Sequence, residues 1–138
     1  MIISETKVLP MCELCVRTTE NVKTGCHLNV SNIEEYMKDA DLAISAGGIT
    51  LYELCAVGTP TISYLMADNQ SGNTSGFERK KIIPFCGDIR NGNYLEHLMF
   101  CIDRWLADQE ARKTVSGRMQ ELVDGQGVYR ICDEIRRL

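Results

Sequence analysis

Hydrophobic and polar residues in the middle of the chain follow the order expected of a strand, a helix and a second strand. Residues 42–44 are aliphatic at every position, as in the buried strands of parallel sheets. A helix is predicted over residues 49–57, because Gly58 suits a C-cap and Pro60 prevents continuation. Residues Thr61–Leu65 have the β-branched and aromatic content of a strand. Together these elements predict a βαβ unit with a right-handed crossover.

Similar patterns extend the prediction on both sides of this unit. Ser31 and Glu34 have the spacing of a capping box, which predicts that a helix begins at Ser31. Residues 71–76 are rich in serine and glycine and predict a flexible loop that folds over a ligand. Residues 82–86 predict an edge strand, because Pro84 cannot donate to a ladder. The other predicted elements are a strand at 27–30 and helices at 94–107, 109–122 and 127–138.

The order of these elements predicts an α/β fold, a Rossmann-like three-layer domain with a mostly parallel sheet flanked by helices. By the usual size of domains, the 138 residues form a single domain. In the helix at 94–107, apolar residues recur at helical spacing, and we expect them to face the sheet. These residues are Leu95, Leu98, Met99, Ile102 and Leu106.

Composition narrows the class of protein. Hydrophobic residues make up 44% and charged residues 25%, as in ordinary folded domains, and no apolar run reaches membrane-spanning length. The first residues lack the features of a signal peptide, so we expect a cytoplasmic protein without a transmembrane segment. A net charge of −4 argues against nucleic acid as a partner. The densest basic cluster, residues 79–81, is interpreted as a solvated helix face.

The seven cysteines raise the question of disulfides or metal. Cys12, Cys15, Cys26 and His27 leave open a zinc site or a redox Cys-x-x-Cys. Free structural thiols are the preferred interpretation, and no metal or other cofactor is expected. Four cysteines in apolar segments are predicted to be small buried hydrophobic residues: Cys55, Cys86, Cys101 and Cys132.

The candidate ligand-binding residues begin where the first predicted strand ends. Ligands of open parallel sheets lie beyond the carboxyl ends of the strands, and Gly47 and Gly48 allow close approach to the backbone there. The first turn of the helix adds unpaired N–H groups and a dipole that suit a phosphate. Glu53 either forms a capping box with Thr50 or accepts hydrogen bonds from ribose hydroxyls. The polar residues 68–70 follow the second strand at the same edge.

A family resemblance covers residues 27–138, and its main match is the stretch ADLAISAGGITLYELCAVGTPTISYLMADNQ at 40–70. This stretch resembles the nucleotide-binding segment in the C-terminal domain of GT-B glycosyltransferases of family 28, the type that makes lipid II. It is more similar still to the UDP-sugar hydrolases of the pseudaminic-acid pathway. The matching features are the Ala-Gly-Gly-x-Thr turn, the Glu three residues after that Thr, the Gly-x-Pro break and the Ala-Asp-Asn-Gln tip. Residues 122–127 resemble the turn before the last helix of that hydrolase family.

The resemblance implies a role for each matching position. Glu53 would contact the ribose of a UDP-sugar. The diphosphate would be received by the turn Ala46, Gly47, Gly48, Ile49 and Thr50, and the sugar or the distal phosphate would be faced by Asp68, Asn69 and Gln70. In the family, the base that activates water belongs to an N-terminal domain, so no catalytic residue is assigned here. We expect this chain to be inactive alone and to need that missing domain or a partner subunit.

Three functions follow as hypotheses. The first is the UDP-sugar-binding domain of a UDP-sugar hydrolase-like enzyme of bacterial surface-polysaccharide biosynthesis, which holds the diphosphate leaving group. The second is the UDP-sugar-binding half of a GT-B glycosyltransferase that transfers a hexosamine. The third is a non-enzymatic Rossmann-like binding module.

Overall fold

The structure, a computed structural model, describes residues 30–138, which form an open parallel sheet with helices on both of its faces. The strands are β1 (Ala43–Ala46), β2 (Thr61–Leu65) and β3 (Phe85–Asp88), in the order β1-β2-β3. The helices are α1 (Ile33–Asp39), α2 (Thr50–Val57), α3 (Ser71–Arg79), α4 (Tyr94–Ala107), α5 (Gln109–Leu122) and α6 (Gly127–Arg136), and a 3₁₀ turn spans Asp68–Gln70. This architecture confirms the predicted α/β class.

Parallel pairing brings the carboxyl ends of all three strands to one edge of the sheet, which we call the carboxyl edge. Ala46 is opposite Tyr64 in the β1–β2 register, and Leu65 is opposite Asp88 in the β2–β3 register. As predicted, the third strand lies at the edge of the sheet, although it begins after Pro84 rather than before it. The segments that follow the three strands therefore lie side by side.

Helix α2 ends at Val57, as predicted, and begins at Thr50, one residue later than predicted. Gly58 adopts the left-handed conformation with φ 79°, and its N–H donates to the carbonyls of Leu54 and Cys55 at 3.0 and 3.1 Å. Glycine carries no steric penalty in that conformation, so it ends the helix cleanly. The chain then turns directly into β2, and the Pro60 carbonyl accepts a hydrogen bond from Ala43 N–H at 2.8 Å.

Two clusters of buried apolar residues stabilise the two faces of the sheet, as expected of a three-layer arrangement. Trp105 packs against both of them from α4. One cluster joins the sheet to α1, α2, α3 and α5, and includes Met37, Leu51, Leu54, Phe77, Ile83, Val115 and Met119. The other joins the sheet to α4, and consists of Leu42, Ile62, Cys86, Tyr94 and Leu98.

The loop predicted for residues 71–76 is wrong, because this segment begins helix α3. The prediction followed the low helix propensity of serine, glycine, asparagine and threonine. In the structure, Thr74 and Phe77 are buried beneath neighbouring elements, and the Thr74 hydroxyl donates to the Ser71 carbonyl at 3.1 Å. Tertiary packing thus overrides local propensity, and no flexible flap lies over the carboxyl edge at these positions.

The predicted capping box at the start of α1 is also wrong. The helix begins at Ile33 with Asn32 as N-cap rather than Ser31, and no side chain caps its free N–H groups. Instead, the Asn32 side-chain amide donates to the Glu35 carboxylate. The predicted strand at 27–30 lies almost wholly outside the described residues, and Val30 itself is not in a strand.

The apolar residues of α4 only partly face the sheet. Leu98 is buried and Ile102 is half-buried, as predicted, but Leu95 is 44% exposed and Met99 55% exposed. Leu106 is exposed as well. One turn of helix spans 3.6 residues, so a stripe centred on residues 94, 98 and 105 turns these three side chains away from the sheet.

The remaining predicted helices have the expected positions. The bounds of α4 and α5 match the prediction, and α6 begins at Gly127 as predicted and ends two residues early, at Arg136. No helix within residues 30–138 is both long enough and apolar enough to cross a membrane.

Candidate functional site

The turn between β1 and α2 offers fewer free N–H groups than its sequence suggests. Gly47 N–H donates to the Tyr64 carbonyl at 2.9 Å, and Gly48 N–H donates to the Ala46 carbonyl at 2.8 Å. Among the hydrogen bonds of residues 30–138, none uses the N–H of Ile49 or Thr50. These two amides, at the start of α2, are therefore the backbone donors that an anion can reach.

The two glycines of the turn have different physical reasons to be glycine. A Cβ on Gly47 would clash with Thr74 Cγ2 and would lie 3.2 Å from both Gln70 Cβ and the Gln70 carbonyl oxygen. A Cβ on Gly48 would meet nothing within 4 Å. Gly47 is thus needed for packing inside the chain, whereas Gly48 is the position at which a ligand can approach the backbone.

Helix α3 fixes the turn from the side. The Asn73 side-chain amide donates to the Gly47 carbonyl at 3.0 Å, and the Tyr52 hydroxyl donates to the Asn73 side-chain oxygen at 3.2 Å. The Tyr52 ring also packs edge-on against Phe77, with 5.1 Å between ring centroids. The turn is therefore connected to both α2 and α3 before any ligand binds.

The polar tip predicted at residues 68–70 lies beside this turn at the carboxyl edge, as the contact between Gly47 and Gln70 shows. Its three side chains are not equivalent. The Gln70 side-chain oxygen accepts a hydrogen bond from Met66 N–H at 3.1 Å, which closes the tip. Asn69 is exposed, and its side chain has no hydrogen bond within residues 30–138. Asp68 contacts Arg90.

Glu53 does not form the capping box with Thr50 that was one of its two interpretations. The N-cap of α2 is Ile49, which has helical backbone angles, and no side chain caps this helix. The Glu53 side chain is exposed, and its carboxylate makes no hydrogen bond or ion pair with residues 30–138. Its location one turn into α2, on the helix that supplies the free N–H groups, leaves the ribose interpretation as a prediction.

Arg90 is the charged residue of this edge that sequence reasoning missed. Its Nε atom donates to Asp88 Oδ1 at 2.9 Å, and its Nη2 atom lies 2.6 Å from both Asp88 Oδ2 and Asp68 Oδ1. These hydrogen bonds lower the pKa of Asp88. An acidic residue at the end of the third strand, with an arginine two residues later, was the available signal.

The basic cluster at residues 79–81 lies elsewhere. It lies at the C-terminal end of α3, opposite Ser71, and the carbonyls of Lys80 and Lys81 accept hydrogen bonds from the Arg118 guanidinium at 2.8 and 3.2 Å. All three residues are exposed, as expected of a solvated surface, and the free N–H groups of the turn lie near the other end of α3.

The thiols of the described part of the chain are free, and those of Cys55 and Cys86 are deeply buried. Burial raises the pKa of Cys55 and of Cys86 to about 12, so both stay protonated at neutral pH. Cys132 is exposed, contrary to the prediction that it is buried. No cluster of metal-ligating side chains exists within residues 30–138. The zinc or redox alternative at Cys12 and its neighbours lies outside the described residues.

A cavity of about 440 Å³ lies next to the site rather than at it. Its wall is formed by α2, α3 and the turn between α5 and α6, and includes Tyr52, Asn73, Phe77, Lys80, Val123 and Arg130. The cavity includes neither the free N–H groups at Ile49 and Thr50 nor the tip at residues 68–70. We place the candidate site at the open carboxyl edge, because ligands of open α/β sheets bind beyond the strand ends.

Part of the chain matches a known protein family. Residues 19–81 match the profile of the family described as the glycosyltransferase family 28 C-terminal domain. Over 97 residues the chain is 30% identical to the spore coat polysaccharide biosynthesis protein SpsG of Bacillus subtilis (strain 168). The alignment covers 69% of this chain and 28% of that protein.

A second group of relatives comes from Helicobacter. One is the UDP-N-acetylglucosamine--N-acetylmuramyl-(pentapeptide) pyrophosphoryl-undecaprenol N-acetylglucosamine transferase of Helicobacter acinonychis (strain Sheeba). The chain is 32% identical to it over 115 residues, and the alignment covers 76% of this chain and 32% of that protein. The corresponding transferase of Helicobacter pylori (strain J99 / ATCC 700824) is 33% identical over the same length. The chain thus spans about three-tenths of the length of these relatives.

No solved structure gives a significant match to the chain. The matched residues 19–81 include the turn, Glu53 and the tip at residues 68–70. The chain combines an open parallel α/β sheet with a segment that matches the glycosyltransferase family 28 C-terminal domain, and it is a distant relative of SpsG and of the N-acetylglucosamine transferases.

Proposed function

We propose that this chain is the nucleotide-sugar-binding domain of a family 28-type glycosyltransferase, and that it binds the diphosphate of a UDP-sugar at the start of α2. The observation that carries the proposal is the pair of free N–H groups at Ile49 and Thr50, next to the open position at Gly48. These donors lie at the carboxyl edge of a parallel sheet and at the positive end of a helix dipole. Both features favour a negatively charged ligand.

Neighbouring residues of the carboxyl edge would contact the ribose and the sugar of such a ligand. Glu53, one turn further along α2, accepts hydrogen bonds from the ribose hydroxyls. Asp68 and Asn69, beyond β2, face the sugar. During transfer, the bond between the sugar and the diphosphate breaks and negative charge develops on the leaving diphosphate, and fixed N–H donors stabilise that charge.

The relatives favour a transferase over a hydrolase. The Helicobacter proteins are N-acetylglucosamine transferases by name, and SpsG is a polysaccharide biosynthesis protein by name. The reported relatives give no support to the hydrolase of the pseudaminic-acid pathway, which the sequence resemblance had favoured. No specific observation favours the non-enzymatic binding module. By analogy with the named transferases, we propose UDP-N-acetylhexosamines as the donor class.

A second domain completes this proposal. The family profile describes a C-terminal domain, and the relatives are about three times as long as the aligned part of the chain. Helix α6 also has an apolar face with no buried residue among those the structure describes. Three exposed apolar residues of this helix recur at helical spacing, namely Val128, Ile131 and Ile135, and the exposed Leu138 follows the helix. We assign this face to contact with an N-terminal domain, which supplies the acceptor site and the catalytic base.

Calorimetric titration of the purified chain with UDP, UMP and UDP-N-acetylglucosamine tests the proposal. We expect UDP and UDP-N-acetylglucosamine to bind more tightly than UMP, because only they carry the second phosphate that the N–H groups of Ile49 and Thr50 contact. If a correctly folded chain bound none of the three, the proposal would be wrong. UMP binding as tightly as UDP would show that the diphosphate is not the recognised group.

Glu53→Ala is expected to weaken binding of UDP about tenfold and to leave pyrophosphate binding unchanged. The loss follows from removing a charged acceptor for the ribose hydroxyls, since hydrogen bonds to charged groups contribute about 1.5–3 kcal/mol. Competition titrations with UDP and with pyrophosphate measure the two affinities. Glu121→Ala is the matched control, because Glu121 is exposed on α5, away from the turn. Equal losses for UDP and pyrophosphate would contradict the ribose assignment.

A further inference from the structure

A three-residue charge cluster lies at the carboxyl edge, and it includes one of the proposed sugar-facing residues. Arg90 lies between Asp88 and Asp68, with side-chain exposures of 51%, 16% and 88% respectively. Asp88 Oδ1 also accepts the backbone N–H of Arg90 at 2.8 Å. Asp88 therefore orients the arginine, and the arginine in turn contacts the far more exposed Asp68.

The free atoms of this cluster show what it can recognise. Asp68 Oδ1 contacts Arg90, while Asp68 Oδ2 has no partner within residues 30–138. A carboxylate oxygen can only accept hydrogen bonds, and a sugar hydroxyl can donate one. Without Arg90, the Asp68 side chain would have no contact to set its direction, because Asp68 is exposed and contacts no other side chain within residues 30–138.

The cluster also affects charge at this edge. Asp68 and Asp88 would together bring two negative charges to the side of the sheet where an anionic ligand is proposed to bind. The guanidinium of Arg90 forms charge-assisted hydrogen bonds with both carboxylates and offsets one of the two charges. An ordinary surface ion pair contributes little to stability. The location of this cluster beside the proposed ligand site therefore explains it better than a contribution to the stability of the fold.

We propose that Arg90 is a positioning residue for sugar recognition: it orients Asp68 so that the free carboxylate oxygen accepts a hydrogen bond from a sugar hydroxyl of the bound nucleotide sugar. The inference rests on the proposed function. Arg90 acts through Asp68, so it affects the sugar end of the ligand and not the diphosphate end. Its signature is the ratio between the affinities for UDP-N-acetylglucosamine and for UDP.

The test is a double-mutant cycle with Arg90→Gln, Asp68→Ala and the combined variant, titrated with UDP-N-acetylglucosamine and with UDP. Each single variant is expected to lower the affinity ratio about fivefold, the effect of one hydrogen bond. The combined variant is expected to lower it no further, because both changes remove the same contact. Arg90→Lys keeps the positive charge but not the planar guanidinium, so it should lower the affinity ratio by a similar factor.

Arg130→Gln is the matched control. Arg130 forms a similar exposed pair with Asp124, with 2.7 Å between Nη1 and Oδ2, but it lies on α6 next to the cavity. We expect this variant to leave the affinity ratio unchanged. Thermal unfolding of every variant confirms that the folded chain is being titrated.

Three results would overturn the inference, and each can be distinguished from the others. If the wild-type chain binds neither ligand, the proposed function and this inference are both wrong. If the wild-type chain binds both ligands but Arg90→Gln and Arg90→Lys leave the ratio unchanged, only the role of Arg90 is wrong. Additive losses in the combined variant would show that Arg90 acts independently of Asp68.

Discussion

Gly48→Val is expected to lower the affinity for UDP by roughly a hundredfold or more while the chain stays folded. The valine side chain would cover the approach to the N–H groups of Ile49 and Thr50, and two hydrogen bonds to a charged phosphate contribute about 3 kcal/mol or more together. The fold should tolerate the change, because a Cβ at Gly48 meets nothing within 4 Å and its φ is not positive. Calorimetric titration with UDP measures the loss.

Gly117→Val is the control for this prediction. Gly117 lies exposed on α5, and a Cβ there also meets nothing within 4 Å. We expect this variant to bind UDP as the wild type does, with closely similar thermal unfolding. A Gly48→Val chain that binds UDP normally would show that the ligand does not approach the backbone at this turn, and the proposed function would lose its main support.

Gly47→Ala is expected to destabilise the fold by about 1–3 kcal/mol, the usual cost of overpacking. The new methyl group would clash with Thr74 Cγ2 and press against Gln70. Since Thr74 is buried in α3, relief requires a shift of that helix away from β1. The free energy of unfolding, measured by denaturant titration followed by circular dichroism, gives the size of the effect.

Thr74→Ser provides a structural control for this second prediction. It removes the methyl group that Gly47→Ala meets and keeps the hydroxyl that donates to the Ser71 carbonyl. The double variant should therefore recover part of the lost stability, although the contact with Gln70 remains. Gly72→Ala, at an open position of α3, should not destabilise the chain. If Gly47→Ala unfolded at the wild-type denaturant concentration, the close packing of α3 on the turn would be wrong.

The elements predicted correctly are those whose limits depend on local chemistry. Helix α2 ends at Gly58 because only glycine enters the left-handed conformation at low cost, and Pro60 excludes any extension. The bounds of β2 follow from a short run of β-branched and aromatic residues. Such signals act within a few residues, so they are visible without knowledge of the fold.

The errors occur where distant residues decide the outcome. Residues 71–76 have the composition of a loop, yet burial of Thr74 and Phe77 draws them into α3. Leu95 and Met99 fit an apolar helical pattern, yet they are exposed within the described part of the chain because α4 is rotated toward Leu98. In both cases the sequence pattern allows two arrangements, and packing selects one of them.

In the candidate site, too, local sequence patterns predict some features, and contacts between distant residues decide the others. Sequence order alone placed a double glycine at the end of β1 and polar residues at the end of β2, and parallel pairing brings those ends together. It did not show that Gly47 and Gly48 differ, that the N–H groups of the glycines are already used, or that Arg90 contacts Asp68. Apart from the hydrogen bond between Gly48 and Ala46, these facts depend on contacts between residues that are far apart in the chain.

The sequence by itself determined the α/β class, the order of the described strands and the edge of the sheet at which their carboxyl ends meet. It did so because hydrophobic periodicity, a C-capping glycine and parallel strand order are local or topological properties. Only the tertiary structure decided which donors are free and which charges meet. Hydrogen bonds and ion pairs depend on distances of a few ångströms, and those distances exist only after α3 and β3 have packed beside β1 and β2.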